Sequence, residues 1–291
     1  MLTKDIEHVA ASYPSAVQTP GRVEGVQRAR PSLTLQVGSA LDPGIKRRQE
    51  PNEDTLSIIQ GVIPSLSWQP FALFMVADGM GGQADGREAS ELAVQSLSKF
   101  MSNALNFQQV KPEDLLPLLE AGVRSANQVL YHRNQERYRS MGTTMTAAFL
   151  VGDTAYVAHV GDSRCYLFRE GAGLSQITLD HSLVAALVTA GMIRAEDIYT
   201  HPRRNIIYRY LGEKSKVAVD TYTVPLVRGD ILLLCSDGLW EMVRDSEIAA
   251  LLTSPAHDSS QIAQALVQAA LAGGGEDNVS AIVARVMSAF C

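Results

Sequence analysis

Cysteine is scarce in this chain: three in 291 residues, at Cys165, Cys235 and Cys291. So few and so scattered, they exclude a disulfide framework and a cysteine zinc site, and they suit a reducing compartment. No apolar run approaches the about 18 residues of a membrane span. The opening Met1-Leu2-Thr3-Lys4-Asp5 has neither the basic nor the apolar region of a signal peptide. Basic side chains are outnumbered, 25 against 31 acidic ones for a formal net charge of -6, with no long basic run. General nucleic-acid binding, which needs clustered Lys and Arg to neutralise phosphates, is therefore not expected. Familiar catalytic signatures are missing too. There is no Gly-x-Ser-x-Gly elbow, and Gly79-Met80-Gly81-Gly82 has neither the Lys-Ser/Thr ending of a P-loop nor the dinucleotide fingerprint. None of the six histidines (His8, His132, His159, His181, His201, His257) stands at metal-ligand spacing from another. The expectation is a cytoplasmic, globular protein.

What is present is enough apolar material for a sizeable core, 46% hydrophobic against 19% charged. Residues 1–32 differ from the rest: Pro14, Pro20 and Pro31 sit among Ser, Gln and Gly without an apolar period, which reads as a flexible leader. From Leu33 onward, short apolar runs predict strands at Phe71–Ala77, Thr143–Val151, Ala155–Val160, Cys165–Phe168, Ile231–Cys235 and Val279–Val286. Helical stripes run through Ala89, Leu92, Ala93, Leu97, Phe100 and Met101, and through Leu115, Leu119, Val123, Ala126 and Leu130. A third, Ile262 to Ala270, stops at Gly273-Gly274-Gly275. Consecutive strands between helices favour packed antiparallel sheets with helices outside over a doubly wound parallel sheet.

The informative feature is where the acids fall. Strand-like runs end in Asp78-Gly79, Gly161-Asp162 and Asp237-Gly238, while Asn52-Glu53-Asp54 and Asp277-Asn278 stand just before strands. A carboxylate at the edge of an apolar core is costly unless it is paired or binds a cation. One Asp-Gly turn would be ordinary. Five such places, with no comparable set of buried Lys or Arg, suit hard divalent cations if the acids converge, and oxygen-only donors favour Mg²⁺, Mn²⁺ or Ca²⁺ over zinc. His159, inside a strand, reads as a hydrogen-bonded core residue, whereas His181 suits a cap region or a supporting group equally well.

Seven stretches resemble, in order, the metal-dependent protein serine/threonine phosphatases of type 2C in their bacterial form. They are Asn52-Glu53-Asp54, Val76 to Gly82, Gly142-Thr143-Thr144, His159 to Arg164, Asp180-His181-Ser182, Leu234 to Trp240 and Glu276 to Ser280. The resemblance implies an α+β, four-layer sandwich: two central antiparallel β-sheets flanked by helices on both sides, over residues 33–291, with a flap at about 183–220. It also implies that Asp78 bridges two metals, Mn²⁺ or Mg²⁺, with the Gly79 carbonyl as a further ligand. Asp237 and Asp277 would hold the first ion, Glu53 and Asp54 the second, and Asp162 with Asp237 a third, weaker one. A water bound between the metals would attack phosphoserine or phosphothreonine, with Asp78 and Asp237 as the catalytically decisive acids.

Two departures follow from the comparison with the family pattern. Its phosphate-binding arginine falls here on Gln49, leaving Arg47 and Arg48 as candidates for substrate binding. Met80 replaces the histidine that eukaryotic members carry, as in bacterial members. Substrates of a Ser/Thr kinase are the expected partners, with the chain acting as a monomer. A regulatory phosphatase of a partner-switching system, a pseudophosphatase of the same fold, and an unrelated calcium-stabilised protein are the alternatives. Arg203 and Arg204, in the flap, read as solvated surface.

Overall fold

Strands in this chain carry apolar side chains on both faces, because each sheet is covered twice. The computed structural model describes residues 34–81, 84–138, 140–254 and 258–287. The expected leader at 1–32, Gly82, His8, His257 and Cys291 lie outside the described residues. One sheet orders its strands β1 (Thr34–Asp42), β11 (Val279–Met287), β10 (Ile231–Cys235), β7 (Arg164–Arg169) and β8 (Gly173–Gln176). The other orders β2 (Asp54–Ile63), β3 (Gln69–Met80), β5 (Met145–Val151), β6 (Thr154–Val160) and β9 (Asp220–Pro225), with the short β4 (Gly142–Thr143) beside β3. Every pairing is antiparallel.

The two-residue period of a strand assigns each side chain to a layer. In β3, Leu73, Met75 and Ala77 join a core with α1 (Ala84–Phe107) and α2 (Leu115–Arg137), while Ala72, Phe74 and Val76 point at the other sheet. In β10, Leu232 and Leu234 meet that same middle layer, and Ile231, Leu233 and Cys235 face the helices beyond. Those helices are α5 (Asp245–Leu252) and α6 (Ser259–Ala272), which bury Ile248, Leu252, Ile262, Leu266 and Ala270. The layers are therefore helix, sheet, sheet, helix, as expected. In chain order between α2 and α5 come α3 (Leu183–Thr189), within the segment expected to form a flap, and the short α4 (Asp237–Trp240), which follows β10.

The helical stripes around Leu97, Leu119 and Leu266 fall on buried faces. The edge strands β1, β8 and β9 and the short helices α3 to α5 are additions to the sequence reading. At the far end of the β2–β3 hairpin, Ser67 and Trp68 are both left-handed, at φ 55° and 61°, and Trp68 stands in solvent. Among the described residues, no helix is long and apolar enough to cross a membrane.

His159 shows how polar groups survive in this interior. Its Nε2 reaches the Leu179 carbonyl at 3.1 Å and its Nδ1 faces the Thr146 hydroxyl at 2.9 Å, as befits a hydrogen-bonded core residue. Burial and the neighbouring His181 push its pKa down to about 3. Below the ordinary value of 6.5 the unfolded chain takes up a proton that the folded one refuses, so this stabilisation is lost as pH falls from 6.5 toward 3. The stability gap between wild type and His159→Gln should narrow by about 2 kcal/mol from pH 7 to pH 5 in urea melts. A gap that stays flat would show that His159 titrates normally in the fold.

Candidate metal centre

All six sequence-selected acids gather at one end of the sandwich. Asp54 and Asp78 are direct partners across the β2–β3 ladder, two carboxylates in one cross-strand pair. Like charges placed this way repel, so the register alone brings an electrostatic cost. Asp237 opens α4 after β10, Asp277 precedes β11, and Asp162 follows β6. Asp78 feels the charges of Asp237, Asp54, Asp277 and Asp162. Burial, then Asp237 and the other acids, holds Asp78 well above the usual carboxylate range. Burial and then Asp162 and Asp277 do the same to Asp237. Asp54 is pushed to about 7, mainly by burial, against the hydroxyls of Ser236 and Ser280. Asp162 also reaches about 7, through burial, Asp180 and Glu241. So many acids cannot all ionise at neutral pH without added positive charge.

Three buried carboxylate oxygens, Glu53 Oε1, Asp54 Oδ1 and Asp237 Oδ1, have no hydrogen-bond partner. A buried carboxylate oxygen without a partner is rare in a finished structure and calls for a water, a proton or an ion to satisfy it. Among the described residues no three ligand-type side chains already form a cage. Arg47 stands among them instead, its guanidinium bonded to both Glu53 and Asp277. Arg47 is only half-buried and stands alone, so among the described residues the acids still lack a comparable set of buried Lys or Arg partners. Arg48 beside it is exposed, so Arg47 is the arginine that enters the cluster.

Backbone contacts hold the acids in place. The Thr143 hydroxyl and the Thr144 N–H both donate to the Asp78 carbonyl, at 2.8 and 2.9 Å, and the Asp78 N–H donates to the Thr144 hydroxyl at 2.9 Å. The Ser236 hydroxyl donates to Asp54 Oδ2 at 2.6 Å, tying the two sheets together. The Glu53 N–H donates to Asn278 Oδ1 at 2.7 Å, and its carbonyl accepts from the Ser90 hydroxyl at 2.6 Å and the Gly79 N–H at 3.1 Å. Glycine is required here for space: a Cβ on Gly79 would lie 2.0 Å from the Gly86 carbonyl oxygen, and one on Gly86 2.2 Å from Glu53 Oε1.

Asp162 sits in a turn where Gly161 has φ +115°. His181 fixes that turn: its N–H donates to the Gly161 carbonyl at 2.7 Å, and its Nδ1 accepts from the Gly161 N–H at 2.9 Å. Its Nε2 reaches Asp220 Oδ2 at 3.1 Å. Ser182 caps α3, so His181 stands in the cap region of that helix and also supports the Gly161 turn.

Two residues of the seven stretches proved to matter in ways that sequence reasoning missed. Arg164, wholly buried, donates twice over to Asp180, with Nη2 to Oδ2 at 2.6 Å. Trp240, also buried, donates its Nε1–H to the Asp162 carbonyl at 3.0 Å. A charged residue directly before a strand-like apolar run was the available signal for Arg164. Arg204 also departs from expectation: its guanidinium reaches Glu241 at 3.0 Å and Glu276 at 2.8 Å, whereas Arg203 is exposed.

Comparison with known proteins bears on the whole chain. The sequence model of the family described as protein phosphatase 2C matches residues 44–273. The serine/threonine phosphatase stp of Listeria monocytogenes is 40% identical over 225 residues, 77% of this chain and 87% of that protein. The crystal structure of serine/threonine phosphatase Stp1 from Staphylococcus aureus superposes with a TM-score of 0.79 at 33% identity, over 91% of this chain and all of that one. The catalytic domain of the serine/threonine protein phosphatase PstP, solved in complex with two manganese ions, gives a TM-score of 0.73 at 35% identity, over 88% of this chain and all of that one. With the family model and these relatives matching most of its length, the chain belongs to the protein phosphatase 2C family, as a bacterial serine/threonine phosphatase.

Proposed function

We propose that Glu53, Asp54, Asp78, Asp237 and Asp277, with the Gly79 carbonyl, hold two divalent cations, and that Asp162 with Asp237 holds a third and weaker one. The carrying observation is the Asp54–Asp78 cross-strand pair beside three partnerless buried carboxylate oxygens. Oxygen donors alone favour Mn²⁺ or Mg²⁺ over zinc. When bound, such cations supply charge to the phosphoryl oxygens and acidity to the attacking water. Asp78, placed centrally and fixed through Thr143 and Thr144, sets the spacing of the whole group. Arg47 offers a planar guanidinium fork of the kind that suits phosphate, and is the arginine proposed to meet the substrate.

Neither described cysteine is a credible nucleophile: burial pushes the Cys165 thiol up to about 12 and raises that of Cys235 as well. The phosphoryl group is therefore taken to pass to water in one displacement. All these groups come from one chain, in keeping with a monomer. Its substrates are taken to be proteins charged by a serine/threonine kinase in a reducing cytoplasm, where the buried, unpaired Cys165 and Cys235 are at ease.

Turnover of p-nitrophenyl phosphate should require Mn²⁺ and vanish with excess EDTA. Asp162→Ala should lower the rate about tenfold while calorimetry still counts two ions. Turnover that survives EDTA, or loss of a tight site in Asp162→Ala, would overturn the assignment.

A further inference from the structure

Ser236 stands at the joint between β10 and α4 and is wholly buried, as is Ser280 opposite it on β11. The β10–β11 ladder is regular up to Cys235 and Ala281. At the next rung the Ser236 N–H still donates to the Ser280 carbonyl, at 3.2 Å. The Ser280 N–H, however, donates to the Ser236 hydroxyl oxygen, at 3.0 Å, where a regular rung would use the Ser236 carbonyl. That carbonyl accepts instead from the Leu239 N–H, at 3.2 Å, in the turn that opens α4. A serine at a helix N-cap ordinarily turns its hydroxyl onto the helix. Ser236 holds the N-cap of α4 and makes no such bond.

Its hydroxyl proton has one place to go. The Ser280 hydroxyl also donates to Ser236 Oγ, at 3.0 Å, so both acceptor positions of that oxygen are filled from β11. The proton lies on Asp54 Oδ2, at 2.6 Å, on the other sheet. A hydroxyl that accepts while it donates is polarised, and a bond to a carboxylate is among the stronger ones. The two oxygens of Asp54 are thereby told apart: Oδ2 takes the hydroxyl proton, while the buried Oδ1 has no hydrogen-bond partner.

We infer that Ser236, backed by Ser280, is a positioning residue for Asp54, its committed donor leaving Oδ1 as the oxygen that faces a cation. This rests on the assignment of Asp54 as a cation ligand. An amide reveals the direction of the hydroxyl. In Asp54→Asn the Ser236 proton still demands an oxygen, so the amide gives its carbonyl to Ser236 and its NH₂ to the cation; without the hydroxyl it is free to turn over. Mn²⁺ titrated calorimetrically into the full chain, stripped of metal and dialysed, tests this without reference to turnover. Ser236→Ala should loosen one of the two tighter Mn²⁺ steps about tenfold, as contacts supporting metal ligands commonly show. Asp54→Asn should loosen the same step further. Adding Ser236→Ala to Asp54→Asn should then tighten it again, by about threefold or more, a reversal of sign expected of directly interacting groups. A serine that merely held the ladder together would weaken binding in both backgrounds. Should Ser236→Ala fail to fold by circular dichroism, Ser236→Cys, a weak donor of similar shape, carries both comparisons at reduced size. A folded Ser236 variant with a wild-type isotherm would overturn the inference, as would a double variant that binds no more tightly than Asp54→Asn. Wild-type chain that takes up no Mn²⁺ would instead overturn the metal assignment, and this inference with it.

Discussion

Asp78→Asn is expected to lose at least about 10³-fold in kcat/KM, some 4 kcal/mol of transition-state stabilisation, with Asp237→Asn close behind. Asp78 is opposed by Asp54 across the ladder and feels three other acids, Asp237, Asp277 and Asp162, so no neighbour can replace its charge. The same substitution should have the opposite effect on the metal-free fold. Removing one of several mutually repelling buried carboxylates should raise metal-free stability by about 1–2 kcal/mol, since functional sites commonly hold such strain. Inactivity together with a raised melting temperature in EDTA separates loss of a site from loss of a structure. Near-wild-type turnover of p-nitrophenyl phosphate by either variant in Mn²⁺ would refute the role given to these acids.

The largest stability effect is expected at Arg164. Arg164→Met leaves Asp180 without its twofold partner in a buried setting, where breaking an ion pair costs about 3–5 kcal/mol. In a domain of this size that corresponds to a fall in melting temperature of very roughly 6–20 °C. Replacing both partners together, as Arg164→Met with Asp180→Leu, should recover much of the loss, because no lone charge then remains. A single variant that melts within 2 °C of wild type, measured by calorimetry with metal in excess, would mean that the pair contributes little.

The sequence disclosed the acids well because each marks a change of environment: apolar, doubly covered strands end abruptly in Asp-Gly or begin after Glu53-Asp54 and Asp277. The order of the layers was not in the periodicity, and came from the resemblance. β1, β8 and β9 escaped notice because edge strands are half polar and short of large apolar residues; in β1 only Leu35 and Val37 alternate with polar neighbours before Gly38-Ser39 breaks the apolar signal. Arg47 could not be chosen over Arg48 by spacing. The N–H groups of Ile45 and Lys46 both donate to the carbonyl of Gly275, at 2.8 and 3.0 Å, and that distant contact anchors the segment leading into Arg47. Arg164 and Trp240 lay inside recognised stretches without a role, since their partners Asp180, Asp162 and Tyr199 are distant in sequence and only tertiary packing joins them.

The β2–β3 hairpin has a consequence at the end opposite its acids. Asp54 faces Asp78 only because the strands keep step along the whole ladder down to Ile63 and Gln69. A slip of one residue would send every side chain of β2 to the other face. The bend at Ser67 and Trp68 is thus the gauge of this acid pair, though it lies a full strand length away. Odd insertions there, unless absorbed as a bulge, would part the two acids without touching either, so the length of this remote loop is constrained by chemistry in which none of its own residues takes part.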